Sequence, residues 1–421
     1  MSFYSLNNPL IRRTFSDATR EGIAPDRGLY FPAHLPRLSF EEWEQGMRVW
    51  ELGARILHPL IEPCLTLDQL LSLLRQVLDF PFPLRELDEG CAVLELFHGP
   101  TAAFKDVGAR FMARALSIVN ESPLTVLVAT SGDTGSAVAQ GFVGVEGIDV
   151  VILYPSGRVS PLQERQLTTV GANVSALEVQ GSFDDCQDMV KTAFLDPDVL
   201  KARPLTSANS INVARWLPQS IYFAWTSYQT QEEVLFSVPS GNVGNLAAGA
   251  LAWKLGVPMA GLIAATNAND GLATFLNGKE FVSRPSKLTL SNAMDVGDPS
   301  NLPRLVALFG EDLQKLRANV RGISISDHAT QLMMRRVAEE HDYLFCPHSA
   351  VGYAGLKALK NNSSLNISLA TAHPAKFGQV VEAATGQIPS VPEHLLRCLT
   401  LPEEKTLLPA DYSALKEYLL S

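Results

Sequence analysis

"LTVLVATSGDTGSAVAQGF", residues 124–142, is an apolar run rich in Val and Leu that breaks at Thr-Ser-Gly-Asp-Thr-Gly and continues into alanine-rich sequence. Branched apolar residues favour a buried strand, Gly with hydroxyl residues favours a turn, and the alanines favour a helix. The stretch therefore predicts strand, turn and helix in immediate succession. The same rhythm recurs in "CAVLELF" (91–97) before the segment around Lys105, and in "DVVILYP" (149–155) before "SPLQERQLTTVG" (160–171). It recurs again in "EVLFSVP" (233–239) before "SGNVGNLAAGALAWKLG" (240–256). Short apolar runs alternating with helical segments indicate parallel sheets covered on both faces, so the fold class is α/β with two parallel-sheet lobes.

Working outward, residues 1–90 are mixed, with Pro-punctuated turns and one helix candidate at "LDQLLSLLRQVL". They read as an N-terminal cap region. Residues 91–120 and 233–421 are expected to form the larger lobe and 121–232 the smaller one, with the helix-rich stretch 187–232 crossing between them. No solenoid repeat or low-complexity segment is present.

At 421 residues and 46% apolar, the chain has enough material for large cores. Lys plus Arg number 34 against 44 Asp plus Glu, a formal charge of −10, and no basic run resembles a nucleic-acid surface. A small anionic substrate remains compatible, since a site can be locally positive. The five cysteines are scattered and odd in number, which predicts a reduced, cytoplasmic protein without disulfides or a zinc ribbon. The N-terminus lacks the pattern of a signal peptide, and the apolar segment 246–265 is interrupted by Lys254 and Pro258. It predicts a packed helix, turn and strand, and no membrane partner is expected.

Two of the turns carry chemistry. Ser240, Gly241, Asn242, Val243, Gly244 and Asn245 follow a strand and open a helix. Glycines allow close backbone approach, and free N–H groups at a helix start cradle an anion, with phosphate the natural occupant. The alternative is a tight turn that uses glycine for packing. Thr130, Ser131, Gly132, Asp133 and Thr134 form a second turn suited to a carboxylate or phosphate. Here the alternative is an ordinary N-cap by Ser131 or Asp133. Both turns follow strands, which points to one crevice at carboxyl strand ends.

Lys105 lies just ahead of a segment with Val107, Phe111, Ala115 and Val119 on one face and Arg110 and Arg114 opposite. That spacing predicts a helix with one buried face, Asp106 as its cap and Lys105 just outside the first turn. A helix N-terminus and burial both disfavour an ammonium, so the lysine pKa should fall. A neutral amine is a nucleophile able to form a Schiff base with a carbonyl, which is how pyridoxal 5'-phosphate is attached. The bland alternative is a surface lysine.

Taken together, "PDRGLYFP", "LELFHGPTAAFKD", "ATSGDTGSA", "VVILYPSGRVSPLQERQL", "NSINVARWLPQ", "VPSGNVGNLAAG", "AATNANDG", "LSNAMDVGDPSN" and "TAHPAKF" resemble the threonine synthase family of fold-type-II pyridoxal-phosphate enzymes, in its longer bacterial and fungal branch. The resemblance implies that Lys105 holds the cofactor and shuttles protons, and that Gly241 to Asn245, with Ser240, grip its phosphate. Family members often carry Phe and Asp where this chain has Val243 and Asn245. Thr371 matches a hydroxyl set against the pyridine nitrogen. Thr130, Ser131, Gly132 and Thr134 match the loop for the substrate α-carboxylate, and Asp133 stands where shorter relatives use Asn against the cofactor ring oxygen. Thr101, Arg158, Ser160, Asn209 and Asn212 are in segments that match substrate-phosphate binders. Cys346 and His348 are expected to pack a loop without metal, His98 to shape the pocket, and His373 to make a structural hydrogen bond.

The reaction implied is O-phospho-L-homoserine plus water to L-threonine and phosphate, the last step of threonine biosynthesis, in a monomer or homodimer. Two other outcomes stay open from sequence: a lyase that stops early and releases 2-oxobutyrate, and a non-catalytic phospho-ligand binder.

Overall fold

Residues 2–40, 43–120, 122–361 and 364–421 are described by the computed structural model. The apolar runs pair in parallel and, among the described residues, build two main sheets. The first has the order Val320–Ser324, Met259–Thr266, Val234–Pro239, Leu365–Ala370, Cys91–Glu95 and Leu84–Asp88, with only the last pair antiparallel. Alternate residues of a strand point to opposite faces, and here both faces are dry. Val234, Phe236 and Val238 enter one core with Leu246 and Leu251, while Leu235 and Ile263 enter another with Tyr353 and Leu356. The helices Gly244–Lys254 and Pro347–Leu359 therefore cover opposite faces, as the unbroken apolar runs require.

The second sheet, parallel throughout, runs Thr406–Pro409, Val174–Gln180, Ile148–Pro155, Leu124–Ala129 and Leu205–Thr206. Val126, Val128, Val150 and Ile152 face the main core. Leu127, Val151 and Leu153 face a separate core closed by Leu415 and Leu419 of the C-terminal helix.

The N-terminal segment forms a small antiparallel sheet of Arg12–Arg13, Phe3–Ser5 and Tyr30–Pro32, with helices including Val49–Ile61 and Leu67–Val77. It joins the main core: Phe15 meets Phe111 edge-on at 6.4 Å, and Phe31 stacks on Trp216 at 5.9 Å. The segment 246–265 is the packed helix, turn and strand expected. No helix among the described residues is long and apolar enough to cross a membrane.

The lobes divide differently from the expected boundaries. The strand Thr406–Pro409 pairs with Val174–Gln180, so the end of the 233–421 segment belongs to the second sheet. The helix Ser220–Thr230 instead packs against Gly244–Lys254 and Val49–Ile61, with the larger lobe. The strand Leu84–Asp88, from the 1–90 region, borders the first sheet.

Because Leu415 and Leu419 are fully buried, replacing either by Ala should lower stability by about 2–5 kcal/mol. Urea unfolding of the two variants measures this, and a loss of only a few tenths would contradict the packing described.

Candidate active site

Lys105 is the first residue of the helix Lys105–Val119 rather than a residue outside it. Asp106 is not the cap: its buried carboxylate turns back to accept from the Thr101 N–H at 2.9 Å and hydroxyl at 2.6 Å. A Cβ on Gly99 would fall 2.5 Å from that carboxylate, so glycine is required for this return. Lys105 is half-buried. Burial, opposed by Asp133 and reinforced by Lys376 and Arg215, draws the amine pKa down to about 8. Nζ has no hydrogen-bond partner among the described residues; its nearest ring, Phe104, lies 5.8 Å away. The result is an amine that gives up its proton far more readily than an exposed lysine.

The loop Ser240–Asn245 leads from Val234–Pro239 into the helix Gly244–Lys254. Ser240 is spent on structure, its N–H bonding Ala265 O and its hydroxyl bonding Val238 O, both at 2.8 Å. The backbone N–H groups of Gly241 to Asn245 have no acceptor among the described residues. Val243 takes φ 64°, a left-handed conformation rare for a branched residue. A left-handed residue next to right-handed ones folds successive N–H groups into a concave anion nest. The Asn245 Oδ1 accepts from Tyr222 at 2.5 Å, while its Nδ2 is buried without a partner.

The second turn ends Leu124–Ala129 and opens the helix Asp133–Phe142. Its cap is neither Ser131 nor Asp133. The Thr130 hydroxyl instead accepts from the N–H groups of Gly132 at 3.0 Å and Gly135 at 2.8 Å. Gly132 has φ 134°, and a Cβ there would fall 2.5 Å from the Gln163 side chain. The N–H groups of Ser131, Asp133 and Thr134 stay unpaired among the described residues. Asp133 is 2.8 Å from the Lys376 ammonium and 2.8 Å from the Gln163 amide. Burial would raise its pKa, but Lys376, Lys105 and the Gln163 bond overcome this and hold the carboxyl well below the usual range.

Lys376 is the residue sequence reasoning missed. It is fully buried after the strand Leu365–Ala370, and its Nζ also donates to Thr101 O at 2.7 Å. Gln166, from the second lobe, reaches the same carbonyl at 3.2 Å. The lysine stood in the "TAHPAKF" string, but only fold contacts reveal its partner 243 positions away (376 − 133). Thr371 borders Lys105 directly, since its carbonyl accepts from Phe104 N–H at 2.9 Å. Its N–H is held by Ser349 at 3.0 Å, and its hydroxyl has no protein partner among the described residues.

The candidate phosphate binders separate. Arg158 is exposed, and its guanidinium is unpaired among the described residues. Ser160 caps the helix Pro161–Thr168, whose Gln163 reaches Asp133, so this loop adjoins the Thr130–Thr134 turn. The Asn209 side chain is unpaired among the described residues and sits beside Ser210, which binds Asn242 at 2.8 Å. Asn212 departs from expectation: its amide bonds Thr19 O and Ser207 O, and its Oδ1 caps Ala214. No N–H of that amide is left for a ligand. Thr101 likewise donates its hydroxyl to Asp106.

His98 pairs with Glu95 at 2.6 Å. His373 accepts from Ala375 N–H at 3.2 Å, and Cys346 caps the helix Pro347–Leu359. No metal-binding cluster occurs among the described residues. The low-pKa amine, the free N–H nest and the free Thr371 hydroxyl fit pyridoxal phosphate, with its aldehyde, phosphate and pyridine nitrogen respectively.

Comparison with known proteins agrees. Residues 81–368 match the pyridoxal-phosphate dependent enzyme family model, 2–77 match threonine synthase N terminus and 349–419 match threonine synthase, C-terminal. The chain is 40% identical to threonine synthase of Escherichia coli and 42% identical to that of Haemophilus influenzae, with all of both chains covered in each case. A crystal structure of PLP-bound threonine synthase from Brucella melitensis superposes with TM-score 0.94 at 34% identity, covering 100% of this chain and 99% of that one.

Lys376→Met should cost about 3–5 kcal/mol in urea unfolding, because it strands a buried carboxylate. The pH dependence has a definite sign. Asp133 titrates lower folded than unfolded, so its stabilising contribution is complete above about pH 5 and lost as acid protonates it. Lys376→Met should flatten that acid limb. In protein freed of cofactor, acylation of Lys105 followed by peptide mapping should rise with a midpoint at about pH 8, below that of exposed lysines.

Proposed function

The chain belongs to the threonine synthase family, and from that premise we propose that it converts O-phospho-L-homoserine and water into L-threonine and phosphate. The observation that carries this reading is an amine of lowered pKa, Lys105, that follows a strand of the same sheet as the Ser240–Asn245 turn and lies in the field of Asp133 of the other turn, both turns having unpaired N–H groups. A cofactor phosphate at one turn and a substrate carboxylate at the other suit two such anion sites inside a protein of net charge −10.

The Ser240–Asn245 nest and Thr371 would hold the cofactor. Bound pyridoxal phosphate would supply an electron sink for the charge left at Cα. As phosphate leaves Cγ, the proton lost from Cβ is replaced at Cγ, the hydroxyl of water adds at Cβ and the remaining water proton goes to the phosphate. The chain's own residues direct the protons. With its pKa drawn down to about 8, Lys105 in its neutral form accepts the Cα proton and returns it when the product forms. The free N–H groups of Ser131, Asp133 and Thr134 receive the substrate α-carboxylate at a helix N-terminus. Arg158, from the adjoining loop, and Asn209 are the side chains left free to meet the departing phosphate. Asp133 stays ionised against Lys376, so it accepts hydrogen bonds there and donates none.

Incubating the full-length protein and cofactor with O-phospho-L-homoserine should yield threonine and phosphate in equal amounts. Accumulation of 2-oxobutyrate would instead favour the lyase that stops early. Lys105→Ala should lower turnover by about 10³-fold or more and remove the visible absorbance of the bound cofactor. Persistent turnover would reject Lys105 as the proton carrier.

A further inference from the structure

Arg304 is fully buried on the helix Leu302–Leu308 and is absent from every role given above. An arginine has five N–H donors, and each of these finds an acceptor. Nε and Nη2 bond Tyr30 O at 3.2 and 3.0 Å, and Nη2 also bonds Ile211 O at 2.6 Å. Nη1 bonds Ser210 O at 3.0 Å and Asn301 Oδ1 at 2.9 Å. The five bonds end on four acceptors, all of them neutral. No Asp or Glu pairs with Arg304 among the described residues, and its other close neighbour is the Trp216 ring at 4.6 Å. Burial accordingly pulls its pKa down to about 9 with no acid opposing the fall.

Buried charges are normally paired, because desolvation is costly. The missing counter-charge has a natural position. Ser210, held by Arg304, accepts from Asn242 Nδ2 at 2.8 Å, and Asn301, also held by Arg304, donates to Asn242 O at 3.1 Å. A Cβ on Gly244 would touch Ser210 Cβ at 3.1 Å. Arg304 thus lies directly behind the nest, one residue removed from Asn242 by two routes.

We propose that Arg304 is a positioning residue for the cofactor phosphate: it braces the Ser210 and Asn301 loops that hold Asn242, and it supplies an unpaired positive charge behind the nest. This rests on the reading of Ser240–Asn245 as the phosphate cradle. It makes the phosphate dianion the partner the guanidinium lacks within the protein, and it gives Tyr30 of the N-terminal region a share in the same brace.

The test compares pyridoxal phosphate with pyridoxal, which lacks the phosphate, by absorbance titration of full-length protein freed of cofactor. The wild-type chain should bind pyridoxal phosphate far more tightly than pyridoxal; equal binding would overturn the cradle itself. Arg304→Gln should weaken pyridoxal phosphate by about tenfold or more while leaving pyridoxal unchanged, and Arg304→Lys should retain most of the difference. If Arg304→Gln binds pyridoxal phosphate as the wild type does, or loses both ligands in proportion, the proposal falls. Should the Arg304 variants not fold, Ser210→Ala cuts the tie to Asn242 with the cation kept. It must then selectively weaken pyridoxal phosphate, and unchanged binding overturns the proposal.

Discussion

The Asp133–Lys376 ion pair joins the carboxyl ends of the two main sheets, and the geometry of the site depends on it. Each partner closes a turn in its own lobe, and both are almost wholly removed from water. Such a pair adds little net stability over well-packed apolar groups, yet neither member tolerates loss of the other. Its contribution is register. The Lys376 ammonium also grips Thr101 O, and Thr101 in turn grips Asp106 beside Lys105. The lysine helix, the carboxylate turn and the end of the first sheet are therefore fixed by one cation.

The same cation acts at a distance. Lys105, Lys376 and Arg215 set a positive field around Asp106 and Asp133, within a chain whose total charge is −10. Burial already disfavours a charged Lys105, and the neighbouring cations Lys376 and Arg215 add to this. One arrangement thus serves two needs that would conflict in water: an amine able to act as a base, and a field that attracts anions. His348 feels the same field. Burial, opposed by Asp133 and aided by Lys105, lowers its pKa to about 4 and keeps it neutral, with Nε2 accepting from Ala293 N–H.

How much of this was legible in the sequence follows from the range of each interaction. The central strands were readable because burial on both faces demands unbroken apolar runs, as in Leu124–Ala129 and Val234–Pro239. The strand Thr406–Pro409 was not, since four residues at a partly exposed edge leave no periodic signal. Lys105 and the glycine turns could be picked out because their chemistry is local: an amine at a helix start, free N–H groups after a strand. Lys376 and Arg304 are defined by acceptors far away in the chain, and nothing in their own neighbourhoods announces burial. Asp106 and Asn212 show the reverse error. Their residue types suit a cap and a ligand contact, but closer backbone and side-chain groups claim the Asp106 oxygens and the Asn212 amide first.

Two non-glycine residues hold left-handed backbones at the edge of the site, Ala102 at φ 55° and Val243 at φ 64°. Each conformation costs on the order of 1–3 kcal/mol and persists only where its surroundings dictate it. Both residues are buried and flanked by fixed hydrogen bonds: Ala102 by its N–H to Gly99 O and its carbonyl from His373, Val243 by Ala247 N–H on its carbonyl. Relaxing Val243 would turn its N–H away from those of Gly241 and Gly244, and relaxing Ala102 would swing the chain that delivers Lys105. The strain lies at the two places where amine and nest must converge on one ligand, and the large cores behind them are what keep it there.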